Sequence, residues 1–129
     1  MPELPRDPDC IFCKIVAGDI PCHKVYENDH VLAFLDVGPL SRGHTLLIPK
    51  GHWTTIMDMP TEPAAAIGAM LPQLSAAVMQ AVNPKGINVL QNNGKAAGQV
   101  VGHVHFHLIP RAEDDDLGFR WPAGELSDE

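Results

Sequence analysis

His103-Val104-His105-Phe106-His107-Leu108-Ile109 alternates an imidazole with an apolar side chain over its first six positions. A period of two is the signature of a β-strand. It puts the three histidines on one face of a sheet and Val104, Phe106 and Leu108 on the other. Neighbouring imidazoles then stand about 7 Å apart along the strand, a spacing suited to a bound group larger than one atom. Three readings of the row compete. It is a plain strand with its polar face in water, a metal site in which two of the histidines share one zinc with ligands from elsewhere, or a catalytic row in which imidazole serves as nucleophile or proton carrier near neutral pH. Solvent-facing strand positions more usually carry Thr, Lys or Glu, which weighs against the first.

Immediately upstream lies Asn92-Asn93-Gly94-Lys95-Ala96-Ala97-Gly98-Gln99. Glycine and amide side chains in such a loop allow backbone N–H groups to turn toward an anion. The loop and the row together point to phosphate chemistry on imidazole.

Working outward, four further strands read from apolar runs between turn signals: 24–27, 30–37, 44–49 and 86–90. Ile67, Leu71, Leu74 and Val78 recur at helical spacing within 62–82, with Thr61 as N-cap, Pro63 harmless in the first turn and Pro72 predicting a kink. A short helix over 11–17 ends at Gly18. Five mainly antiparallel strands with one long and one short helix make an α+β domain. The 129 residues (14.0 kDa) suffice for one domain: a core over about 10–111, an N-terminal extension over 1–9, and a tail over 112–129 whose acidic run Glu113 to Asp116 reads as a solvated loop.

Composition excludes several classes. The net charge is -7 and aromatics are 5%, which argues against binding nucleic acid by its backbone or by base stacking. The apolar run in 64–82 is mostly alanine and holds Pro72, Gln73 and Ser75, which argues against a membrane span. The first ten residues lack a secretion-signal pattern and the three cysteines are an odd number, so a cytosolic protein is expected.

The chain resembles the histidine-triad (HIT) superfamily of nucleotide hydrolases and transferases. The motif His-φ-His-φ-His-φ-φ matches 103–109, and CIFCKIVAGDIP, VLAFLDVGPLSRGHTLLIPKGH and NNGKAAGQVVGHVHFHLIPR match the three signature regions in order. The resemblance implies a HIT-like fold, a homodimer, and a purine nucleotide ligand of the AMP type. It makes His105 the nucleophile that attacks the α-phosphate, with a nucleotidyl-histidine intermediate released by water. His107 would contact the phosphate oxygens and is a candidate proton donor to the leaving group. His103 and His44 would complete the catalytic group, His44 supporting the triad from a neighbouring strand. Asp36 would accept from the ribose hydroxyls. Ile11, Phe12, Ile15, Phe34, Leu35 and Val37 would form the base slot, and Asn92, Gly98, Gln99 and Val100 would lie along the phosphates. Val100 stands where many members carry Ser or Thr.

Cys10-x-x-Cys13 by itself fits half of a zinc site or two small buried residues at a helix start. By resemblance to bacterial-type members, Cys10, Cys13, His52 and His103 would hold a structural Zn2+. Cys22 matches no motif and reads as a plain thiol, and His23 and His30 as surface residues. The expected substrates are phosphoramidates or dinucleoside polyphosphates. The alternatives are a nucleotidyltransferase, whose branch carries Gln in place of the third histidine, and a nucleotide- or partner-binding module with incidental turnover.

Overall fold

The computed structural model describes residues 3–118 and 122–127; residues 1–2, 119–121 and 128–129, parts of the expected extension and tail, lie outside the described residues. Five strands form one antiparallel sheet: β1 (Lys24–Glu27), β2 (Val31–Leu35), β3 (Thr45–Pro49), β4 (Gly86–Gln91) and β5 (Phe106–Arg111). Their spatial order is β1-β2-β3-β5-β4. The long helix α2 (Thr61–Val82) and the short helix α1 (Ile11–Ala17) complete the α+β fold.

Strand alternation divides the core into two layers. Val31, Ala33, Leu47 and Leu108 pack against Ile67, Met70, Leu74 and Val78 of α2. Leu32, Phe34, Leu46 and Ile48 face the opposite way and pack with Phe12 and Cys13 of α1. Met70 rather than Leu71 is buried; Leu71 packs at the cluster's edge. α2 starts one residue earlier than a Thr61 cap implies, because Pro60 occupies the N-cap and Thr61 is the first helical residue. The helix continues through Pro72 as one element. By length and composition α2 could cross a membrane, yet four of its apolar side chains are buried on the sheet. α1 ends as expected at Gly18, whose φ of 84° is left-handed backbone that favours glycine.

The last strand corrects the expected 103–109. The ladder begins at Phe106, opposite Leu47, and runs to Arg111. Continued backward, it would set Val104 opposite Pro49, which has no N–H to give. Instead Val104 N–H donates to Trp53 O at 2.8 Å, and the Pro49 carbonyl accepts from the ring of His103 at 3.0 Å. Only His107 of the row therefore lies in regular strand; His103 and His105 lie in the segment leading into it.

The acidic run is also more than a solvated loop. Asp115 makes paired contacts of 2.6 and 2.8 Å with the Arg111 guanidinium and accepts from Ala112 N–H at 2.9 Å. The guanidinium holds its carboxyl well below the usual range.

Candidate active site and cysteine–histidine cluster

A cleft of about 750 Å³ opens on the α1 side of the sheet. α1 contributes Ile11, Phe12 and Ile15, β2 and its exit contribute Phe34, Asp36 and Val37, and the glycine-rich loop contributes Asn92, Gly98 and Val100. His105 and His107 reach it from the segment before β5 and from β5 itself. Phe12 holds this wall together: its ring meets Phe34 edge-on at 5.8 Å and His105 edge-on at 5.1 Å.

Two expected lining residues are elsewhere. Leu35 follows Phe34 in the alternation and is absent from the cleft lining. The Gln99 side chain is spent inside the loop, where its oxygen accepts from Gly94 N–H at 2.7 Å and its amide donates to the carbonyls of Thr54 and Val101 at 2.6 and 2.9 Å. Sequence reading also missed Ile20, Pro21, Cys22, Leu40 and Leu90, which line the cleft. The run Ile20-Pro21-Cys22 carried a usable signal, since it is apolar immediately before β1. Leu90 carried none, because its place follows from pairing with His107 across β4 and β5.

The hydrogen bonds define the proton on each imidazole. His105 Nδ1 lies 2.7 Å from the carbonyl oxygen of His103. A carbonyl only accepts, so Nδ1 carries a proton, and in the neutral ring Nε2 keeps its lone pair. In His44, Nδ1 accepts from Leu40 N–H at 3.0 Å, so the proton sits on Nε2. That Nε2–H lies 2.9 Å from His107 Nδ1 and donates to it. His107 in turn carries its proton on Nε2. One backbone N–H thus sets two tautomers in series, and His107 enters the cleft as a donor. Burial, followed by the charge of His105 and His44, holds His107 down at about 4. Burial likewise lowers His44, although Asp36 opposes it. Both rings are neutral at pH 7.

A second cluster lies behind the cleft. Sγ of Cys10, Sγ of Cys13 and ring nitrogens of His52 and His103 all fall within 4.8 Å of one another. His103 Nδ1 is 3.4 Å from Cys10 Sγ and 3.3 Å from His52 Nδ1, and Cys13 Sγ is 3.4 Å from His52 Nδ1. Because His103 Nε2 donates to the Pro49 carbonyl, its Nδ1 lone pair points into the cluster. A ligand histidine with its other nitrogen on a carbonyl is the usual arrangement around zinc, and two sulfurs with two imidazoles complete a tetrahedral set. Asp36, His44 and His107 also come together, but they do not fit a metal. With Leu40 N–H on its Nδ1, His44 has no second lone pair to give.

The family model described as the HIT domain matches residues 17–114. The chain belongs to the HIT domain family. It is 49% identical over 118 residues to the "Adenylylsulfatase HINT3" of Arabidopsis thaliana, covering 92% of this chain and 58% of that one; the chain thus spans little more than half of that relative. Against the "Adenosine 5'-monophosphoramidase hnt1" of Schizosaccharomyces pombe it is 50% identical over 121 residues, 93% of this chain and 88% of the other. Among solved structures, SMU.412c of Streptococcus mutans superposes with a TM-score of 0.89 at 45% identity, covering 93% and 76% of the two chains. A Zn-bound histidine triad family protein of Mycobacterium smegmatis gives 0.79 at 40% identity, covering 90% and 84%. The five-stranded HIT fold expected from the sequence is therefore the fold of this HIT protein.

Proposed function

We propose that this HIT protein is a hydrolase that cleaves a nucleoside phosphoramidate at its α-phosphorus and releases the nucleoside monophosphate, AMP above all. The observation that carries the reading is the His105–His103 hydrogen bond, which leaves His105 Nε2 unprotonated beside the cleft. In the first step the Nε2 lone pair forms an N–P bond while the bond from phosphorus to the leaving amine breaks. The electron pair departs with the amine, which takes up a proton. His107, presenting Nε2–H to the same phosphate, stabilises the charge on its oxygens. In the second step water attacks phosphorus and releases a proton to solvent, the N–P bond breaks, and the pair returns to Nε2. Asp36 takes the ribose hydroxyls through Oδ2, since Oδ1 already accepts from Gly38 N–H at 2.8 Å. The names of the relatives from Schizosaccharomyces pombe and Arabidopsis thaliana support an adenosine substrate.

The cleft's charge favours an amine over a polyphosphate as leaving group. Among the described residues no Lys or Arg lines it, and His107 is neutral. A single phosphate charge can be held by amides and imidazole N–H groups, but several phosphates in a row need cations.

Cys10, Cys13, His52 and His103 would hold a structural zinc, which when bound would tie α1 to the segment before β5 and supply no chemistry to the reacting phosphate. A homodimer extended through β4, whose outer edge carries the half-exposed Val89, and a cytosolic setting, supported by three unpaired cysteines, belong to the same reading.

The test compares wild-type protein with His105→Ala on adenosine 5'-phosphoramidate and on a diadenosine polyphosphate. The variant should lose at least ~3 kcal/mol of transition-state stabilisation, and the phosphoramidate should be the preferred substrate. Equal turnover by variant and wild type would overturn the mechanism.

A further inference from the structure

His103 faces two ways. Its ring belongs to the cysteine–histidine cluster, while its carbonyl oxygen holds the proton of His105 Nδ1 at 2.7 Å. Phe12 makes a second link. It stands between Cys10 and Cys13 in sequence, and its ring meets His103 edge-on at 5.7 Å and His105 at 5.1 Å. Nucleophile and sulfur pair are therefore joined both through backbone and through packed rings. The same first turn of α1 carries Ile11 and Phe12 of the cleft wall. A chemical change at the sulfurs has a short path to the reacting nitrogen.

The sulfurs are set up for such a change. Cys10 is the N-cap of α1 and its Sγ accepts from Cys13 N–H at 3.5 Å. The two Sγ atoms lie within 4.8 Å of each other, and the Cys-x-x-Cys spacing is one that a disulfide can close. Cys10 is the more accessible of the pair, at 9% exposed against 2% for Cys13.

We propose that Cys10 and Cys13 are a reversible oxidation site through which hydrogen peroxide displaces His105 from its reactive position; the catalytic part of this rests on the function proposed above. Cys10 Sγ attacks the peroxide O–O bond, which breaks to give a sulfenic acid and water. Cys13 Sγ then attacks that sulfur: the S–S bond forms, the S–O bond breaks, and the oxygen leaves as a second water. Two thiols lose two hydrogens and one peroxide is reduced to two waters. With zinc on the cluster the sulfurs start as thiolates, and two protons come from solvent as the metal departs. A disulfide has no thiolate to give, so the cluster keeps only its two imidazoles. His103 loses its two sulfur partners, and the resulting shift of its backbone takes its carbonyl away from His105. A thiol reductant reverses each step.

The experiment uses the full-length chain loaded with zinc, in a Cys22→Ser background so that every oxidisable thiol belongs to the pair. Hydrogen peroxide is added and three quantities are followed: the mass of the peptides spanning 10–13, zinc release to a chromogenic chelator, and the imidazole Nδ1–H resonance of His105. The expected result is a loss of two hydrogens from that peptide, release of one zinc per chain, and loss of the His105 resonance, all restored by dithiothreitol. Phosphoramidate turnover, against the same variant reduced, should fall on the order of tenfold to a hundredfold in kcat. Oxidation that stops at a sulfinic acid without a disulfide, or a disulfide that leaves the zinc and the His105 resonance unchanged, would overturn the proposal. The mass and the resonance do not depend on turnover. A protein with no hydrolase activity when reduced would thus refute the function and still leave the oxidation site judged.

Discussion

His44 Nε2 lies 2.9 Å from His107 Nδ1, so a ring just ahead of β3 sets the proton position of a ring on β5. His44 is 2% exposed and is absent from the cleft lining. Its influence on the proposed reaction therefore passes through its neighbours, His107 at 2.9 Å and Asp36, whose Oδ2 lies 3.5 Å away. Replacing it with Phe fills the space but removes both the acceptor for Leu40 N–H and the donor to His107. We expect His44→Phe to lower kcat about tenfold with little change in KM, and to cost about 1–3 kcal/mol of stability for the buried groups left unpaired. Steady-state kinetics and urea unfolding check the two parts, and an unchanged kcat would remove His44 from the relay.

Stability should fall in acid over a defined window. His107 is held at about 4 in the folded protein, against an ordinary value of 6.5. Between those values the unfolded chain binds a proton that the folded chain refuses, so stability is present above pH 6.5 and is lost as pH drops toward 4. His44, also lowered, acts in the same direction. For His107 the loss reached by pH 5 should be about 2 kcal/mol. Denaturant midpoints at pH 7, 6 and 5 should show this slope, and His107→Asn should flatten it.

Asp36 lines the cleft, with Oδ1 engaged by Gly38 N–H and Oδ2 3.5 Å from His44 Nε2. Asp36→Asn keeps an acceptor for the turn but replaces half of the carboxylate by a donor. KM for a ribonucleotide substrate should rise about tenfold, and the preference over the 2'-deoxy analogue should shrink. A KM unchanged for both sugars would separate Asp36 from ribose recognition.

Removing a sulfur from the cluster should empty it. Wild-type protein is expected to hold one zinc per chain by elemental analysis, and Cys13→Ala substantially less than one. At free zinc a hundredfold above Kd, the wild type should gain about 2.7 kcal/mol over its chelated form. The variant should show no such gain in thermal melts with and without zinc. A full equivalent of zinc on Cys13→Ala would refute the ligand set.

The alternating pattern of 103–109 and the apolar runs around it were enough to place five strands and two helices, because strand and helix periodicities are local properties of the chain. The motif carried the family, and the spacing of Cys10 and Cys13 carried the idea of a metal. Tertiary contact decided the rest. β5 starts at Phe106 rather than His103 because Pro49, distant in sequence, has no N–H to extend the ladder and its carbonyl takes the His103 ring instead. Gln99 turns inward because the carbonyl of Thr54 lies beside it. Above all, the tautomers of His44, His103, His105 and His107 follow from which atom each ring nitrogen meets. A sequence specifies the imidazole, but only a donor or acceptor brought up by the fold specifies which nitrogen keeps its lone pair.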